Sequence, residues 1–233
     1  MRKGDIIFGV SVTTLAIAVL GGMYFYKEKA APEGQKTTSH VSETFYDVNT
    51  NKQPILGKED APVTLVEYGD YKCPACGFFT NSIMPEIKEK YVDTGKVKVV
   101  YKHFPFIAKD SARSAIFAEG VLDKLGNDAF WKLHEKLFAS QEDPSKESED
   151  HLTEDFLMKT AKELFTEDQV KKLDGILENK TYTTDVSNDY EEGKKEKIQS
   201  TPTVFINGKK VYNPMVVNEV SAAIDDELNK KEK

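Results

Sequence analysis

The chain is poor in cysteine and has no excess of positive charge. It contains two cysteines, Cys73 and Cys76, in 233 residues, which excludes a disulfide-stapled scaffold and a four-cysteine zinc site. Its 32 basic residues are outnumbered by 39 acidic ones, giving a net charge of −7, whereas nucleic-acid-binding proteins are normally basic. We therefore expect no nucleic-acid partner. Hydrophobic residues make up 39% of the chain, which is enough to exclude wholesale disorder.

An uncharged apolar run near the N-terminus, residues 6–26, is long enough to cross a membrane. At about 1.5 Å per residue it would span ~31 Å as a helix, close to the thickness of a bilayer's hydrocarbon core. Arg2 and Lys3 precede it, which predicts that residues 1–5 stay in the cytoplasm. The alternative is a cleaved signal peptide, whose apolar region is usually shorter and is followed by a small-x-small site. We expect a single-pass anchor in the cell membrane, with the rest of the chain on the extracytoplasmic face.

The remaining chain predicts an α/β domain interrupted by a block of helices. Residues 27–52 are polar, with proline and glycine, and predict a flexible linker. Residues 53–110 predict strand, helix and strand, residues 111–185 an inserted helical domain, and residues 186–233 a hairpin and a closing helix. This order favours a central mixed sheet flanked by helices. The predicted strands are 62–68, 96–104, 203–206 and 209–212. The predicted helices are 73–91 (kinked at Pro85), 111–124, 127–139, one or more within 153–179, and 216–230. The acidic run 141–150 predicts a solvated loop.

The two cysteines belong to the segment Cys73-Pro74-Ala75-Cys76, at a predicted strand-to-helix junction. Unpaired N–H groups at a helix N-terminus stabilise a thiolate, so we expect a lowered pKa at Cys73. Pro74 suits the first helical turn because no N–H is needed there. Cys76 lies one turn further on, close enough to pair with Cys73 and pointing inward. The segment therefore predicts a redox-active dithiol.

Three alternatives compete with a redox role for the C-x-x-C segment. A structural disulfide would close so short a loop that it would constrain the unfolded chain little. A metal site needs two more ligands, and His103 and His134 show no ligand spacing. His134 lies among aromatic residues and is expected to pack in the core. A chance occurrence is the third alternative, but a C-x-x-C at such a junction, with no other cysteine, is a strong redox signal. We predict no metal ligand.

Two further features are expected at the same site. Glu67 lies six residues before Cys73 within a strand that should be buried, where an ionised carboxyl is costly. It is either an exposed residue at a strand edge or a proton acceptor for buried Cys76. Thr201-Pro202 directly precedes the strand 203–206, and the residues alone leave its peptide bond cis or trans.

Four segments together resemble one known family. They are PVTLVEYGDYKCPAC (62–76), HFPF (103–106), AFWKLHEKLF (129–138) and STPTVFINGK (200–209). The chain resembles the extracytoplasmic thiol–disulfide oxidoreductases of the DsbA type, and within them the membrane-anchored BdbD branch of Gram-positive bacteria. The resemblance covers about residues 53–231. It implies a thioredoxin fold with an inserted helical domain.

The resemblance implies a role for each matching residue. Cys73 would be the exposed nucleophile, Cys76 the resolving cysteine, and Glu67 the family's buried acid. Pro202 falls at the family's cis-proline, with Thr201 before it. The implied substrate-binding residues are Pro74, Ala75, Thr201 and Pro202.

The same resemblance implies partners and leaves the direction of electron flow open. Exported proteins with reduced cysteines would receive disulfides, and a quinone-linked membrane protein would reoxidise a monomeric enzyme that requires no cofactor. A structural calcium ion, bound through Asp185 to Glu192 and Gln53, would accord with some relatives, although no EF-hand loop is present. The Pro-Ala dipeptide lacks the histidine of the strongest oxidants. Threonine before the proline also occurs in reductases and isomerases.

Two alternatives therefore stay open. A reductase or isomerase would use the same chemistry in reverse, although isomerases of this fold usually have a dimerisation domain, for which residues 27–52 are too short. A binding module or chaperone without redox turnover would keep its function when the cysteines are replaced by serine.

Overall fold

The computed structural model describes residues 40–141 and 147–231. The strands in this part form one mixed sheet and are β1 Val41–Phe45, β2 Ile55–Leu56, β3 Val63–Gly69, β4 Val97–His103, β5 Thr203–Ile206 and β6 Lys209–Val211. Their order across the sheet is β1-β6-β5-β3-β4-β2. The central pair β3 and β4 is parallel, and the other pairs are antiparallel.

The helices of the described residues fall into three groups. The first is α1, which follows β3 and consists of the continuous segments Pro74–Phe78, Phe79–Ile83, Met84–Ile87 and Lys88–Val92. The second lies between β4 and β5 and contains α2 Lys109–Leu125, α3 Asn127–Ala139, α4 Glu154–Leu164, α5 Glu167–Lys171 and α6 Lys180–Lys195. The third is α7 Val217–Lys231, which closes the chain. The predicted mixed sheet with inserted helices is confirmed.

Side-chain alternation along β3 separates the two faces of the sheet. Val63, Leu65 and Glu67 point to one face, and Val66 and Tyr68 point to the other. The first face packs against α1, α7 and the inserted helices in one large core, and the second face has a smaller core. Val63 and Leu65 are fully buried, and burying each such side chain contributes about 1.5–3 kcal/mol. Glu67 therefore faces the larger core, on the side where α1 begins.

The helix α1 continues through Pro85 instead of breaking there. The turns Phe79–Ile83 and Lys88–Val92 are wider than α-helical turns, and the N–H of Met84 bonds to the carbonyl of Phe79. A proline cannot donate a backbone hydrogen bond. The wide turn before Pro85 accommodates that missing donor while the apolar face of the helix stays on the core.

Regular secondary structure begins before residue 53, because β1 lies within the predicted linker 27–52. The linker prediction is therefore wrong at its C-terminal end. β1 pairs with β6, with Val41 opposite Val211 and Phe45 opposite Lys209. The segment is polar because β1 lies at the edge of the sheet, where three of its five residues are exposed. Residues 27–39 lie outside the described part of the chain.

One predicted boundary of the insertion also needs correction. The border at residue 185 falls inside α6, which continues to Lys195, because this helix buries only a narrow stripe and its composition is mostly polar. The segment 153–179, predicted to contain one or more helices, contains two. The first ends at Leu164, and Thr166 caps the second by accepting a hydrogen bond from the N–H of Gln169.

None of the helices in residues 40–141 and 147–231 is long and apolar enough to cross a membrane. The predicted anchor 6–26 and the stub 1–5 lie outside these residues.

Candidate functional site

The loop that joins β3 to α1 places Cys73 at the N-terminus of the helix. Asp70 shapes this loop, because one carboxylate oxygen accepts from the N–H of Lys72 (2.9 Å) and the other from Phe106 N (2.9 Å). Cys73 is the N-cap residue and Pro74 is the first residue of the helix. The predicted strand–C-x-x-C–helix arrangement is therefore present.

The thiol of Cys73 lies against the loop before β5. Its Sγ donates a hydrogen bond to the backbone carbonyl of Thr201 at 3.2 Å. The hydrogen bond with Cys76 is the largest cause that lowers the pKa of Cys73, to about 6. Burial opposes this change, while Thr201 and the backbone N–H groups of Cys76 and Ala75 support it. The helix N-terminus thus provides the predicted thiolate stabilisation, together with a hydrogen bond from the neighbouring Cys76.

Cys73 is less exposed than the family resemblance implies. Only 6% of the residue is accessible, and its thiol contacts the carbonyl of Thr201.

Cys76 and Glu67 lie on the buried side of the same helix turn. Cys76 is 0% exposed and Glu67 is 2% exposed. Burial raises the pKa of Glu67 to about 8, and the nearby Cys73 thiolate adds to the effect. Burial also raises the pKa of Cys76 well above its usual value, with further contributions from Cys73 and from Glu67. Two cysteines three residues apart thus have opposite acidities.

Glu67 is central in the sheet and not at its edge. It lies opposite Tyr101 of β4 and Val204 of β5, so the alternative of an exposed strand-edge residue is wrong. A carboxyl in this position stays largely protonated at neutral pH and can exchange a proton with a neighbouring thiol.

The Thr201–Pro202 peptide bond is cis. It directly precedes β5, and its loop faces Cys73 through the carbonyl of Thr201. Pro74 and Ala75 are half-buried on the other side of Cys73. The four predicted substrate-binding residues therefore flank the thiol on two sides.

An open groove of about 550 Å³ runs beside the dithiol. Pro74 and exposed Phe78 line it on α1, and Gln141 and Phe156 line it on the insertion. An extended peptide with apolar side chains would fit such a surface.

Three residues that the sequence did not single out hold the loop in place. Lys72 is fully buried with Asp110, its Nζ 3.2 Å from the carboxylate, and it also donates to the carbonyl of Glu149 at 2.6 Å. Gln141 donates its side-chain amide to the carbonyls of Tyr71 (2.7 Å) and Cys73 (3.2 Å). The segment 141–150, predicted as a solvated loop, therefore contacts the dithiol loop at residues 141 and 149. The burial of Lys72 was not predictable, because its partner Asp110 is distant in sequence.

His134 is packed in an aromatic cluster, as predicted. It is 2% exposed, and its Nδ1 lies 3.3 Å from the hydroxyl of Tyr71. Burial lowers its pKa to about 3, so the ring is neutral at physiological pH. Among the described residues, no three His, Cys, Asp or Glu side chains are arranged to hold a metal ion.

Two of the acidic residues expected near a calcium ion, Asp189 and Glu192, are paired with Lys102. Lys102 Nζ lies 3.2 Å from Asp189 Oδ1 and 2.9 Å from Glu192 Oε2, and the side-chain amide of Gln53 donates to Asp189 at 2.8 Å. An oxygen-rich cluster has the right chemistry for calcium. Lys102 Nζ lies among these oxygens, whereas Gln53 Oε1 is buried with no hydrogen-bond partner in the described part of the chain. The calcium ion stays a prediction.

The fold and site together define a class: a thioredoxin-fold protein with two cysteines at a helix N-terminus, opposite a cis-proline. The Thioredoxin family model matches residues 49–226. The chain is 38% identical over 179 residues to disulfide bond formation protein D of Bacillus subtilis, covering 77% of this chain and 78% of that protein.

Solved structures agree with the sequence comparison. Oxidised BdbD from Bacillus subtilis superposes with a TM-score of 0.73 and 35% identity, covering 80% of this chain and 98% of that chain. The structure of Wolbachia pipientis α-DsbA1, with a TM-score of 0.64 and 22% identity over 78% of this chain and 94% of that chain, shows the shared fold. The chain therefore belongs to the thioredoxin-like family of BdbD and DsbA-type disulfide bond formation proteins. It is a protein disulfide oxidoreductase.

Proposed function

We propose that this protein introduces disulfide bonds into exported proteins through the pair Cys73 and Cys76. The observation that supports this proposal most is the opposite acidity of the two thiols. An acidic, outward Cys73 is a good leaving group in exchange, and a weakly acidic, buried Cys76 is protected from bulk solvent.

The donation cycle starts from the Cys73–Cys76 disulfide. A substrate thiolate attacks Cys73, forming a mixed disulfide, and Cys76 leaves and takes a proton from the Glu67 carboxyl. A second substrate thiolate then attacks the substrate sulfur of the mixed disulfide and expels the Cys73 thiolate. The substrate loses two electrons and two protons, and the protein gains a dithiol.

Reoxidation runs the same chemistry in the opposite direction. A disulfide of a membrane partner is attacked by the Cys73 thiolate, and Cys76 then attacks the mixed disulfide after giving its proton to the Glu67 carboxylate. We propose a quinone-linked membrane protein as the partner, on the ground of the family resemblance. Glu67 is thus an acid in donation and a base in reoxidation.

The pKa of Cys73 sets the scale of the oxidising effect. At pH 7, a thiol with a pKa of about 6 stabilises the reduced form by about 1.4 kcal/mol relative to an ordinary cysteine, equivalent to ~30 mV in potential. The contribution favours disulfide donation, because a stabilised dithiol makes the disulfide a stronger oxidant.

We also propose that residues 6–26 anchor the protein in the cell membrane, with residues 40–231 on the extracytoplasmic face and the enzyme monomeric. The apolar run and the preceding Arg2 and Lys3 support this proposal. Protease treatment of intact spheroplasts should then degrade residues 40–231 while sparing cytoplasmic proteins. Protection of these residues until the cells are lysed would contradict it.

The direction of electron flow is tested by equilibrating the full-length protein with glutathione buffers and following the Cys73–Cys76 redox state. A reduction potential near the ~−120 mV of strong oxidants supports disulfide donation. A potential near ~−270 mV would instead assign the protein to reductants. If the Cys73–Cys76 pair is neither oxidised nor reduced in these buffers, the result would favour a binding module without redox turnover.

A further inference from the structure

Gln141 lies two residues beyond the end of α3 and reaches back to the turn that carries Cys73. Its backbone N–H donates to the carbonyl of Phe138 at 3.3 Å, which ties it to the last turn of α3. Its side-chain amide donates to the carbonyl of Tyr71 at 2.7 Å and to that of Cys73 at 3.2 Å. One side chain of the insertion thus holds the backbone of the Cys73 turn at two points.

The two carbonyls held by this amide belong to peptide groups that are also fixed from other directions. The N–H of Lys72, in the same peptide group as the Tyr71 carbonyl, donates to Asp70 Oδ1 at 2.9 Å. The carbonyl of Cys73 also accepts from the N–H of Gly77 at 3.1 Å, within the first turn of α1. The turn is therefore held by its own loop, by the helix and by the insertion.

Gly77 provides the space for the Gln141 side chain. It is buried near the start of α1, and a Cβ atom at this position would overlap Oε1 of Gln141 and lie 3.1 Å from its Cδ. Because the amide nitrogen faces two carbonyls, the amide oxygen faces the other way, toward Gly77. Glycine weakens a helix interior, and the close approach of Gln141 explains why it stands here.

The placement of the Cys73 backbone decides where the thiol lies. Hydrogen bonds with Cys76, with Thr201 and with backbone N–H groups of the first helical turn lower the pKa of Cys73 to about 6, against the effect of burial. Such bonds weaken steeply when their distances and angles are lost. A Cys73 turn released from Gln141 would therefore lose part of this stabilisation of the thiolate.

We propose that Gln141 is a positioning residue of the dithiol: it fixes the backbone of the Cys73 turn, and Gly77 makes room for its amide. Through this contact the insertion acts on the reactive thiol. The role does not depend on the direction of electron flow, because it concerns the placement of Cys73. Its benefit to disulfide donation rests on the proposed function.

Glutamine suits this position for a chemical reason. The contact needs two N–H donors on one side and an uncharged end that fits against a buried helix turn. A carboxylate of the same shape would direct negative oxygens at two carbonyl oxygens. A methionine has a similar length and offers no donor, so Gln141→Met separates the hydrogen bonds from the packing.

The first test follows alkylation of Cys73 across pH in the full-length reduced protein. We expect Gln141→Met to raise the Cys73 midpoint by about half a pH unit, because hydrogen bonds to the thiolate weaken. Alkylation at pH 5 should then be ~3-fold slower. Asn81→Ala is the matched control, since Asn81 of α1 donates to the carbonyl of Phe138 and links the same two helices by a bond outside the Cys73 turn. Its midpoint should not move.

The second test is a double-mutant cycle between Gln141 and Gly77. Gly77→Ala should displace the flexible end of the Gln141 side chain and also raise the Cys73 midpoint by about half a pH unit. The three atoms nearest to the added Cβ all belong to Gln141. In the Gln141→Ala background, Gly77→Ala should therefore leave the Cys73 midpoint unchanged and raise the urea midpoint of unfolding, since alanine is the better helix former. Additive shifts of the Cys73 midpoint would overturn the proposal.

A merely structural role of Gln141 would give a different result. The proposal is overturned if Gln141→Met lowers the urea midpoint of unfolding but leaves the Cys73 midpoint near pH 6, or if Asn81→Ala shifts that midpoint equally. Should Gln141→Met fail to fold, Gly77→Ala decides, because it keeps the glutamine and displaces only its amide. A low reduction potential of the unmodified protein would contradict disulfide donation and leave the placement of Cys73 unaffected.

Discussion

Cys73 and Cys76 are one helical turn apart, yet their thiols meet opposite surroundings. Cys73 is held by a thiol partner and by N–H groups at the start of α1, and its pKa is lowered to about 6. Cys76 faces the interior and Glu67, and its pKa is raised well above the usual value. The residue type is the same, so the difference comes from position on the helix. One turn of helix is enough to give two cysteines opposite acidities.

The walls around the two thiols also differ in kind. The thiol of Cys73 meets the backbone carbonyl of Thr201, before β5, and the N–H groups of the first turn of α1. Around Cys76 the walls are the apolar core and one carboxyl, Glu67. The outward thiol is thus tuned by hydrogen bonds, and the inward thiol by burial.

The largest expected effect is loss of turnover when one thiol is removed. Cys73→Ser should lose all measurable oxidation of a reduced model protein, because it cannot form the Cys73–Cys76 disulfide that a substrate thiolate attacks. Cys76→Ser, when supplied with oxidised glutathione, should instead accumulate a mixed disulfide between Cys73 and glutathione, visible as a mass increase under non-reducing conditions, because no second cysteine resolves it. Oxidation by Cys73→Ser at the normal rate would contradict the assignment of the two roles.

The next largest effect is on stability and concerns Lys72, which is buried in the loop before Cys73. Lys72→Met should lower the free energy of unfolding by about 3–5 kcal/mol, because it leaves buried Asp110 without its cation. Urea denaturation measures the change. Lys171→Met, which removes an exposed pair with Asp168, should change it by less than about 1 kcal/mol. Equal effects for the two variants would show that Lys72 does not hold the loop.

Removing the carboxyl on the Cys76 side should stabilise the protein. Glu67 has a folded-state pKa of about 8 against a usual 4.5, so between these values the folded state binds more protons and stability falls as pH rises. Glu67→Gln should therefore add about 3 kcal/mol to the free energy of unfolding at pH 7, with little gain at pH 4. Urea titrations of the reduced proteins at both pH values check this.

Glu135→Gln is the matched control for that prediction, since Glu135 on α3 is an exposed carboxyl. It should change stability by a few tenths of a kcal/mol at most. A gain for Glu67→Gln that is independent of pH would mean that the carboxyl is not strained by burial.

The smallest effect sharpens the comparison of the two thiols directly. The hydrogen bond with Cys76 is the largest cause of the low pKa of Cys73. Cys76→Ala should therefore raise the Cys73 midpoint by about one pH unit, while Cys76→Ser, which keeps a donor, should raise it less. Rates of alkylation across pH measure both. A midpoint of Cys76→Ala equal to that of the unmodified protein would assign the effect to the helix N-terminus alone.

The sequence predicted the residues of the site better than the contacts that hold those residues in place. Glu67, the C-x-x-C segment and Thr201-Pro202 were predictable because each lies on or beside a strongly patterned strand. The strand pattern around residues 62–68 and 203–206 also predicted the sheet, since alternation is a local property. The cis geometry at Pro202 came from the family resemblance, not from the residues.

Contacts between distant segments were not predictable in this way. Lys72 pairs with Asp110, and Gln141 reaches the carbonyls of the dithiol loop, across separations that no local pattern records. β1 was missed because an edge strand needs few apolar residues. The end of α6 was missed because a narrow buried stripe gives a weak helical period.

The most direct measurement is a pH titration of thiolate absorbance at 240 nm in the reduced full-length protein. We predict that one thiolate forms with a midpoint near pH 6 and that the second does not form below pH 9. A single step near pH 9 for both cysteines would contradict the opposite acidities on which the proposed oxidase chemistry depends.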